Sequence, residues 1–422
     1  MSAHAVDTRL VFEKGNIELA EGSGRGLSAL LTGLGGALIG VTIFAAVSGT
    51  DKVAKIALHA YQAGFMASLA MALGALGFTM IFHQTNAGWV ASIRRQFENL
   101  MSIVWVGLVL FVVGVLFHLG MQLTKQVYLF EWMNPAYVEG DKLYEHKSGF
   151  LNVPFFYVRA AIYFVVWLGL SQLLWSFSTR QDQDGDKWHT VSARKLSAPG
   201  LLLFAFTTAF AGFDWVMSLD FHWFSTMFGV YYFAGAAVSC LALVTLTLII
   251  LRGFGRLHVA FTEEHLHDLS KLLFAFTVFW AYISFSQYFL IWYANIPEET
   301  AWMLRRKEGP WEWLSWTLPI GHFIVPFVFL ISRPVRRSRA AVALGCLWLL
   351  GMHLLDLYWA VRPEVWNKET SQAVGPHWVD IPGILGPFLV FLGMYVRRVA
   401  SGPLMPLHDP RLPEALVHKN YV

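Results

Sequence analysis

The sequence has 422 residues, of which 56% are hydrophobic, 16% are aromatic and only 14% are charged. Soluble proteins are typically about 25% charged and about 45–50% apolar, so this composition excludes a soluble globular protein. The formal net charge of +3 says little about partners, because the basic residues fall in loops beside apolar segments, where membrane topology alone explains them.

Ten apolar segments have the length and composition of membrane-spanning helices. They are Leu27–Val47, Ile56–His83, Leu100–Gly120, Val153–Phe177, Ser197–Leu219, Thr226–Leu251, Ser270–Tyr293, Trp316–Ile331, Ala340–Val361 and Ile381–Tyr395. The eighth and tenth segments are short and contain Pro319, Pro326 and Pro387, so they are the least secure as regular helices.

The two cysteines, Cys240 and Cys346, lie in apolar runs, and the sequence has no Cys-x-x-Cys motif. Nothing in the sequence therefore supports a disulfide, a covalent c-type haem or a cysteine-ligated iron–sulfur cluster. The first 26 residues are polar and charged, so we expect no cleaved signal peptide.

Lys and Arg residues are divided unevenly between the two sets of loops. The loops on the same side as both termini carry 19 Lys and Arg residues. The loops on the opposite side carry 10, one of which is Lys368. Because basic residues favour the cytoplasmic side, both termini are predicted to be cytoplasmic. The predicted organisation is a cytoplasmic segment 1–26, a transmembrane domain 27–396 and a cytoplasmic tail 397–422.

Short sequence matches suggest an internal duplication. Asp214 and Trp215 near the end of the fifth segment parallel Asp356 and Trp359 near the end of the ninth. The pattern favours two parallel four-helix units, segments two to five and six to nine, with chance similarity as the alternative. The predicted fold is an all-α integral membrane protein with about ten transmembrane helices, arranged as two four-helix bundles plus two flanking helices.

Two loops on the predicted outer side, residues 122–152 and 295–315, are rich in aromatic and acidic residues. They suit a docking surface for partner proteins. Equally, they suit amphipathic segments at the lipid headgroups, with Trp302, Trp311 and Trp313 as interface anchors.

The seventh segment carries many polar side chains. Thr277, Ser284 and Gln287 recur near helical spacing and so share a face, with Tyr282 and Ser286 beside them. We expect this face to contact protein or water. Hydrogen bonding between helices is the alternative role, and for isolated Ser and Thr it is the commoner one.

Asp268 and Lys271 lie at the start of the seventh segment. The simplest expectation is a helix start with Asp268 as its N-cap. The functional alternative is that the two residues form the inner entry of a proton path.

Ionisable residues inside a membrane are costly and indicate function. Asp214 lies among aromatic and aliphatic residues, and Asp220 and His222 follow it closely. A carboxylate, an imidazole and nearby hydroxyls are the groups that a proton relay requires. For Asp220 and His222, a solvated turn is the slightly favoured alternative.

Asp356 and His353 lie three residues apart on the ninth segment, so they share a face and could pair. Such a pair is either a structural contact or a site with shifted protonation equilibria. Arg159, near the outer start of the fourth segment, is a natural counter-ion for Asp214 or Asp356, with snorkelling to the headgroups as the alternative.

Histidines within the spans also raise the question of a bis-histidine b-type haem. His59 with His118, or His322 with His353, are the candidate pairs, although no spacing requires a haem. Structural interior histidines are the favoured interpretation. His322 is in addition a candidate for a proton path.

Residues 213–233, 265–302 and 406–422 closely resemble the F-type member of the two paralogous membrane subunits of bacterial alternative complex III, a quinol:electron-acceptor oxidoreductase. The ten-span layout is similar to that of the polysulfide-reductase-type (NrfD-like) membrane subunits.

The resemblance implies a multi-pass subunit of the bacterial cytoplasmic membrane, in a complex that oxidises quinol. Partner subunits would be the paralogous membrane subunit and the subunits that carry iron–sulfur clusters and c-type haem, with no cofactor in this chain. A proton-conducting role is implied for the F-type subunit, and quinol binding chiefly for its paralogue.

The proton path expected from the residues and the resemblance together runs from the start of the seventh segment toward the outer carboxylates. Its candidates are Arg159, Asp214, Asp220, His222, Asp268, Lys271, Tyr282, Ser284, Ser286, Gln287, His322, His353 and Asp356. The alternatives are a membrane scaffold of the same complex without a proton path, and a stand-alone secondary transporter.

Overall fold

A computed structural model describes residues 8–367 and 372–420 of the protein. In these residues ten helices are long and apolar enough to cross a membrane, as predicted. They are α1 (Arg25–Ser48), α2 (Asp51–Gln84), α3 (Arg94–Lys125), α4 (Val153–Asp184), α5 (Trp188–Trp215), α6 (Phe228–Gly253), α7 (Glu263–Ala294), α8 (Gly309–Leu330), α9 (Arg339–Val361) and α10 (Asp380–Val399). The protein is therefore an all-α, multi-pass membrane protein.

Helix α2 is the central helix of the bundle and is buried along almost its whole length. Its glycines allow neighbouring backbones to approach closely. A Cβ atom at Gly74 would lie 2.2 Å from the carbonyl oxygen of Ala236 in α6, and one at Gly64 would lie 2.4 Å from that of Ile384 in α10. Small residues at crossing points are a general means of packing membrane helices.

The contacts between helices occur both within and between the two predicted four-helix groups. Helices α2 to α5 pack together, and α6 packs on α7 and α9 while α8 packs on both α7 and α9. The two groups meet mainly where α2 contacts α6 and α9. Helices α1 and α10 pack against each other at one side of α2.

Two spans are irregular. Helix α3 is interrupted at Ser102 and Ile103, and α8 consists of short segments around a π-helical turn, Leu318–Ile324. Pro319 and Pro326 in α8 each lack a backbone N–H donor, which explains why a regular α-helix does not persist there. Helix α10 is continuous although it contains Pro387.

The first and last described parts of the chain, residues 8–24 and 400–420, lie at one end of the bundle, which we call the terminal end; the opposite end is the distal end. At the terminal end, the N–H of Leu404 donates to the carbonyl of Ile17 at 2.7 Å, and Arg94 pairs with Asp409 at 2.7 Å. The tail is therefore packed onto the bundle. Some residues used in the predictions lie outside the described residues. They are residues 1–7 of the predicted N-terminal segment, Lys368 of the charge comparison and residues 421–422 of the predicted tail.

At the distal end, the loops form short helices, among them Pro135–Val138, Lys142–Lys147 and Pro297–Lys307. Trp302 and Trp311 are buried, whereas Trp313 is 51% exposed. The expectation that all three indoles anchor at the lipid interface is therefore wrong for Trp302 and Trp311, which pack inside the protein.

Candidate functional site

Asp356 occupies a buried position where α6, α7 and α9 meet, and only 1% of its surface is exposed. The Tyr231 hydroxyl in α6 donates to its Oδ1, and Nε1 of Trp280 in α7 donates to its Oδ2 at 2.9 Å. No Lys, Arg or His in residues 8–367 and 372–420 hydrogen-bonds to or ion-pairs with Asp356. Two neutral donors therefore hold this carboxyl group.

His322 lies beside this group. Its ring stacks on Trp280 with a centroid distance of 3.9 Å, and it is fully buried. Neither ring nitrogen has a hydrogen-bond partner among the described residues. The residue belongs to the π-helical turn of α8, and such turns occur frequently at functional sites.

His353 does not pair with Asp356, so the contact that their spacing allows is not formed. Its Nε2 instead lies 3.1 Å from the carbonyl oxygen of Ala67 in α2. Residues three apart share a helix face, but α2 offers His353 a backbone acceptor that the sequence does not reveal.

His353 and Asp356 nevertheless border the same space. A Cβ atom at Gly235 of α6 would lie 3.5 Å from Nδ1 of His353 and 3.7 Å from Oδ2 of Asp356. Nδ1 of His353 has no partner within the described part of the chain. We call Tyr231, Trp280, His322, His353 and Asp356 the Asp356 cluster.

Asp214 is also buried, but it is fully paired. Nε and Nη2 of Arg159 each donate to its carboxylate at 2.8 Å, and the Tyr163 hydroxyl donates at 2.6 Å. Arg159 also donates to the carbonyl of Phe150 at 2.7 Å and lies 3.8 Å from the centroid of that ring. Arg159 is thus the counter-ion of Asp214, and these contacts hold Asp214 as a structural carboxylate.

The polar face of α7 is directed inward in part. Thr277 and Gln287 are buried, whereas Tyr282 is 65% exposed on the surface of the bundle. Tyr282 therefore points away from the interior and cannot be a step of an internal path. The Ser286 hydroxyl donates to the carbonyl of Tyr282 at 2.6 Å within the same helix.

Interhelical bonding accounts for only part of this face. Ser225 donates to Oε1 of Gln287 at 2.9 Å, which links α7 to the segment before α6. Thr277 donates to the carbonyl of Leu273 at 2.8 Å in its own helix. The buried hydroxyl oxygen of Ser284 has no partner among the described residues.

Helix α7 begins five residues before Asp268, and its N-cap is Thr262. The prediction that Asp268 caps the helix is wrong, because Thr262 and His265 form a capping box there. Asp268 instead pairs with Lys271 at 2.9 Å and with Nε2 of His418 in the tail at 2.6 Å. This carboxylate marks the terminal end of α7.

Asp220 and His222 lie at the distal end, in the turn after α5. Asp220 is 9% exposed and pairs with Arg305, so a solvated turn does not describe it. His222 lies 2.7 Å from Oδ2 of Asp141, and half of its side chain is accessible. Although burial acts to raise the pKa of Asp220, His222 and Arg305 lower it to about 2.

Arg305 also pairs with Glu364 at 3.1 Å, and Arg306 pairs with the same carboxylate at 2.7 Å. A cavity of about 420 Å³ opens beside this group and is lined by Asp220, His222, Arg305 and Glu364 among others. Sequence reasoning missed Arg305, Arg306 and Glu364, because basic and acidic residues in a loop predict solvent exposure. The only sequence signal is the adjacency of Arg305 and Arg306 in an aromatic-rich loop.

Two histidines of the first unit, His59 and His118, form hydrogen bonds with backbone groups. Nδ1 of His59 lies 2.8 Å from the carbonyl oxygen of Lys55, and Nε2 of His118 accepts the N–H of Leu129 at 2.9 Å. These contacts are typical of structural histidines.

Comparison of the sequence with protein-family models and with curated proteins finds no match. The function of the protein is therefore inferred from the geometry of its buried polar groups and from the resemblance of its sequence segments.

Proposed function

We propose that the protein conducts protons through the Asp356 cluster, as the F-type, NrfD-like membrane subunit of a quinol oxidoreductase of the alternative complex III type. One observation carries the proposal: Asp356 is buried between spanning helices and held by Tyr231 and Trp280, without a cationic partner in the described residues. An ionisable group in this position is costly and serves function by default.

The chemistry of a proton carrier fits this carboxyl group. A carboxyl group binds and releases one proton, and in the described residues no cation pairs with Asp356 to hold it permanently as a carboxylate. Tyr231 both donates and accepts hydrogen bonds, as each member of a proton relay must. His322 adds an imidazole that stacks on Trp280 and whose ring nitrogens have no hydrogen-bond partner among the described residues.

Helix α7 supplies the direction of the route. Asp268 lies at its terminal end, and Trp280, which holds Asp356, is about 18 Å further along at 1.5 Å per residue. Two hydroxyl groups lie on one face of α7: Thr277 lies between the levels of Asp268 and Trp280, and Ser284 lies beyond Trp280. Asp268 itself lies about 180° around the helix from Thr277, at about 100° per residue, so protons that enter at Asp268 would have to cross to this face before they reach Asp356.

The proposed complex gives such a route its purpose. Oxidation of a quinol releases two protons for two electrons, and one charge crossing the membrane changes in energy by about 2.3 kcal/mol per 100 mV. Partner subunits with iron–sulfur clusters and c-type haem would carry the electrons, while this subunit would carry protons. We also propose that both termini are cytoplasmic.

A scaffold without a proton path is the second candidate, and the contacts of Asp214 favour it. That carboxylate accepts hydrogen bonds from both Arg159 and Tyr163, which is the pattern expected of a structural buried Asp. Asp356 differs from Asp214 because its hydrogen-bond donors are neutral.

The test is an Asp356→Asn variant, purified with the subunits that accompany it and reconstituted in liposomes. Proton-transferring side chains contribute about 100- to 10,000-fold to a rate. We therefore expect proton movement per transferred electron to slow at least about tenfold, while the complex still assembles.

The matched control is Ser239→Ala, which removes a buried hydroxyl that donates only to its own helix, at 2.9 Å from Gly235 O and 3.2 Å from Ala236 O. It should leave turnover and proton movement unchanged. Unchanged turnover and unchanged proton movement in Asp356→Asn would eliminate the proton path and leave the scaffold.

A further inference from the structure

Arg306 is a buried cation at the distal end of the bundle. It belongs to the loop helix Pro297–Lys307 and is 0% exposed. Its Nη2 donates to Oε1 of Glu364 at 2.7 Å and to the carbonyl of Ala360 at 2.7 Å, and its Nε donates to the carbonyl of Trp359 at 3.1 Å. The guanidinium therefore lies across the last turn of α9.

Aromatic rings fix the guanidinium from the other side. Its central carbon lies 3.3 Å from the centroid of the Trp302 ring, and that ring stacks on Trp223 with a centroid distance of 4.1 Å. Nη1 of Arg306 also donates to the carbonyl of Trp302 at 2.9 Å. A cation held by a carboxylate, three carbonyls and a ring has little freedom to move.

The position of Arg306 along α9 relates it to the Asp356 cluster. Ala360 lies about 6 Å beyond Asp356 along the axis of α9, at 1.5 Å per residue, and Glu364 follows in the short 3-10 turn after the end of α9. Arg306 therefore lies directly on the distal side of the carboxyl group that the proposed path uses.

The distal cavity begins on the other side of Arg306. Glu364, Arg305 and Asp220 line this cavity of about 420 Å³, while Arg306 lies behind its wall and contacts the same carboxylate from the protein interior. The order from the membrane interior outward is Asp356, Arg306, Glu364 and the cavity. Burial lowers the pKa of Arg306 to about 10, so the side chain is still a cation at neutral pH.

We propose that Arg306, anchored by Glu364, is an electrostatic barrier that separates the Asp356 cluster from the distal cavity. A fixed guanidinium repels protons, as arginine side chains do in other membrane pores. The inference rests on the proposed proton path, since a barrier has meaning only where protons can reach Asp356. The barrier makes the proposed path one-sided: protons would reach Asp356 from the terminal end, and Arg306 would close the distal side.

The test measures passive proton leak. The full-length protein, with the subunits that purify with it, is reconstituted in liposomes that contain a pH-sensitive dye, and a potassium diffusion potential drives protons inward. We expect Arg306→Gln to raise the leak at least about tenfold, which corresponds to a barrier lowered by about 1.4 kcal/mol.

Two variants serve as matched controls. Arg305→Gln removes the neighbouring guanidinium, which pairs with the same Glu364 but lies in the cavity wall, so it should leave the leak at the wild-type level. Arg306→Lys keeps the positive charge, so its proton leak should also stay at the wild-type level. Equal leaks in Arg305→Gln and Arg306→Gln would overturn the inference, because the effect would then not depend on the position of Arg306.

The double variant Arg306→Gln with Asp356→Asn connects the leak to the path. Suppression of the leak by Asp356→Asn supports the barrier, and a leak that persists overturns it, because protons would then bypass Asp356. If the proton leak of Arg306→Gln equals that of the wild type, the barrier is overturned. The proposed function is still supported in that case if Asp356→Asn alone slows proton movement.

If Arg306→Gln cannot be purified, a second variant tests the same inference. Glu364→Gln removes the carboxylate that anchors Arg306 but keeps its carbonyl contacts, so we expect it also to leak more than the wild type. A tight Glu364→Gln variant would overturn the inference in that case.

Discussion

Replacing Asp214 by Asn separates a structural carboxylate from a functional one. The substitution keeps the size of the side chain but removes its charge, so Arg159 loses its only carboxylate partner in the described part of the chain. It also changes the acceptor of the Tyr163 hydroxyl, which donates to Oδ2 of Asp214 at 2.6 Å. The guanidinium of Arg159 would remain buried with an uncompensated charge.

The expected loss follows from the geometry. Removing one member of a buried ion pair typically costs about 3–5 kcal/mol, because the other charge stays desolvated. The contact between Arg159 and Asp214 is bidentate, at 2.8 Å for both nitrogens, which places the loss in that range. Tyr163→Phe removes a single hydrogen bond, and we expect a loss of about 1 kcal/mol.

The assay is reversible unfolding in mixed detergent micelles, with the free energy of unfolding extrapolated to zero denaturing detergent. The double variant Arg159→Met with Asp214→Leu removes both charges and should recover most of the stability, since apolar replacement of a buried pair is often neutral. A loss below about 1 kcal/mol for Asp214→Asn would refute the reasoning, as would a double variant less stable than the single one.

Two further predictions concern the distal end and the helix crossing. Interaction with Asp220, assisted by Asp141, raises the pKa of His222 against the effect of burial. The contribution of protonated His222 to the free energy of unfolding should therefore be complete below about pH 6.5 and be lost as the pH rises through the higher folded-state pKa. Because the side chain is half-exposed, this contribution should stay below about 1 kcal/mol. His222→Gln should flatten this part of the plot of unfolding temperature against pH, and identical profiles for both proteins would contradict the assignment. Gly74→Ala places a methyl group 2.2 Å from a backbone oxygen of α6 and should lower the free energy of unfolding by about 1–3 kcal/mol, whereas Gly351→Ala, with nothing within 4 Å, should not destabilise; equal effects of the two would contradict the close crossing.

Hydropathy predicts most of the fold, because each spanning helix must satisfy its own backbone hydrogen bonds and present apolar side chains to lipid. Those requirements are local, so all ten spans are visible in the sequence. Irregularity at Pro319 and Pro326 is local for the same reason, since a proline lacks the donor that a regular helix requires. The start of α7 was misplaced because Thr262 and His265, rather than Asp268, supply the cap.

The pairing of Arg159 with Asp214 was anticipated as one of two choices, and the structure selects between them. Arg159 lies on α4, which packs directly against α5 and the Asp214 carboxylate. Asp356 lies in the other unit and has Tyr231 and Trp280 as its neighbours. Composition and spacing carry no information about which helices meet.

The class of the protein, the number of its spans and the presence of costly polar residues within them all follow from the amino-acid sequence. Which of these residues have hydrogen-bond partners, and which remain available for chemistry, depends on how the helices pack. Glu364 and Arg306, 58 residues apart in the chain, meet because a loop helix folds over the end of α9. Hydropathy reports how each segment partitions between water and lipid, whereas such contacts depend on the packing of distant helices, which is why they appear only in the folded protein.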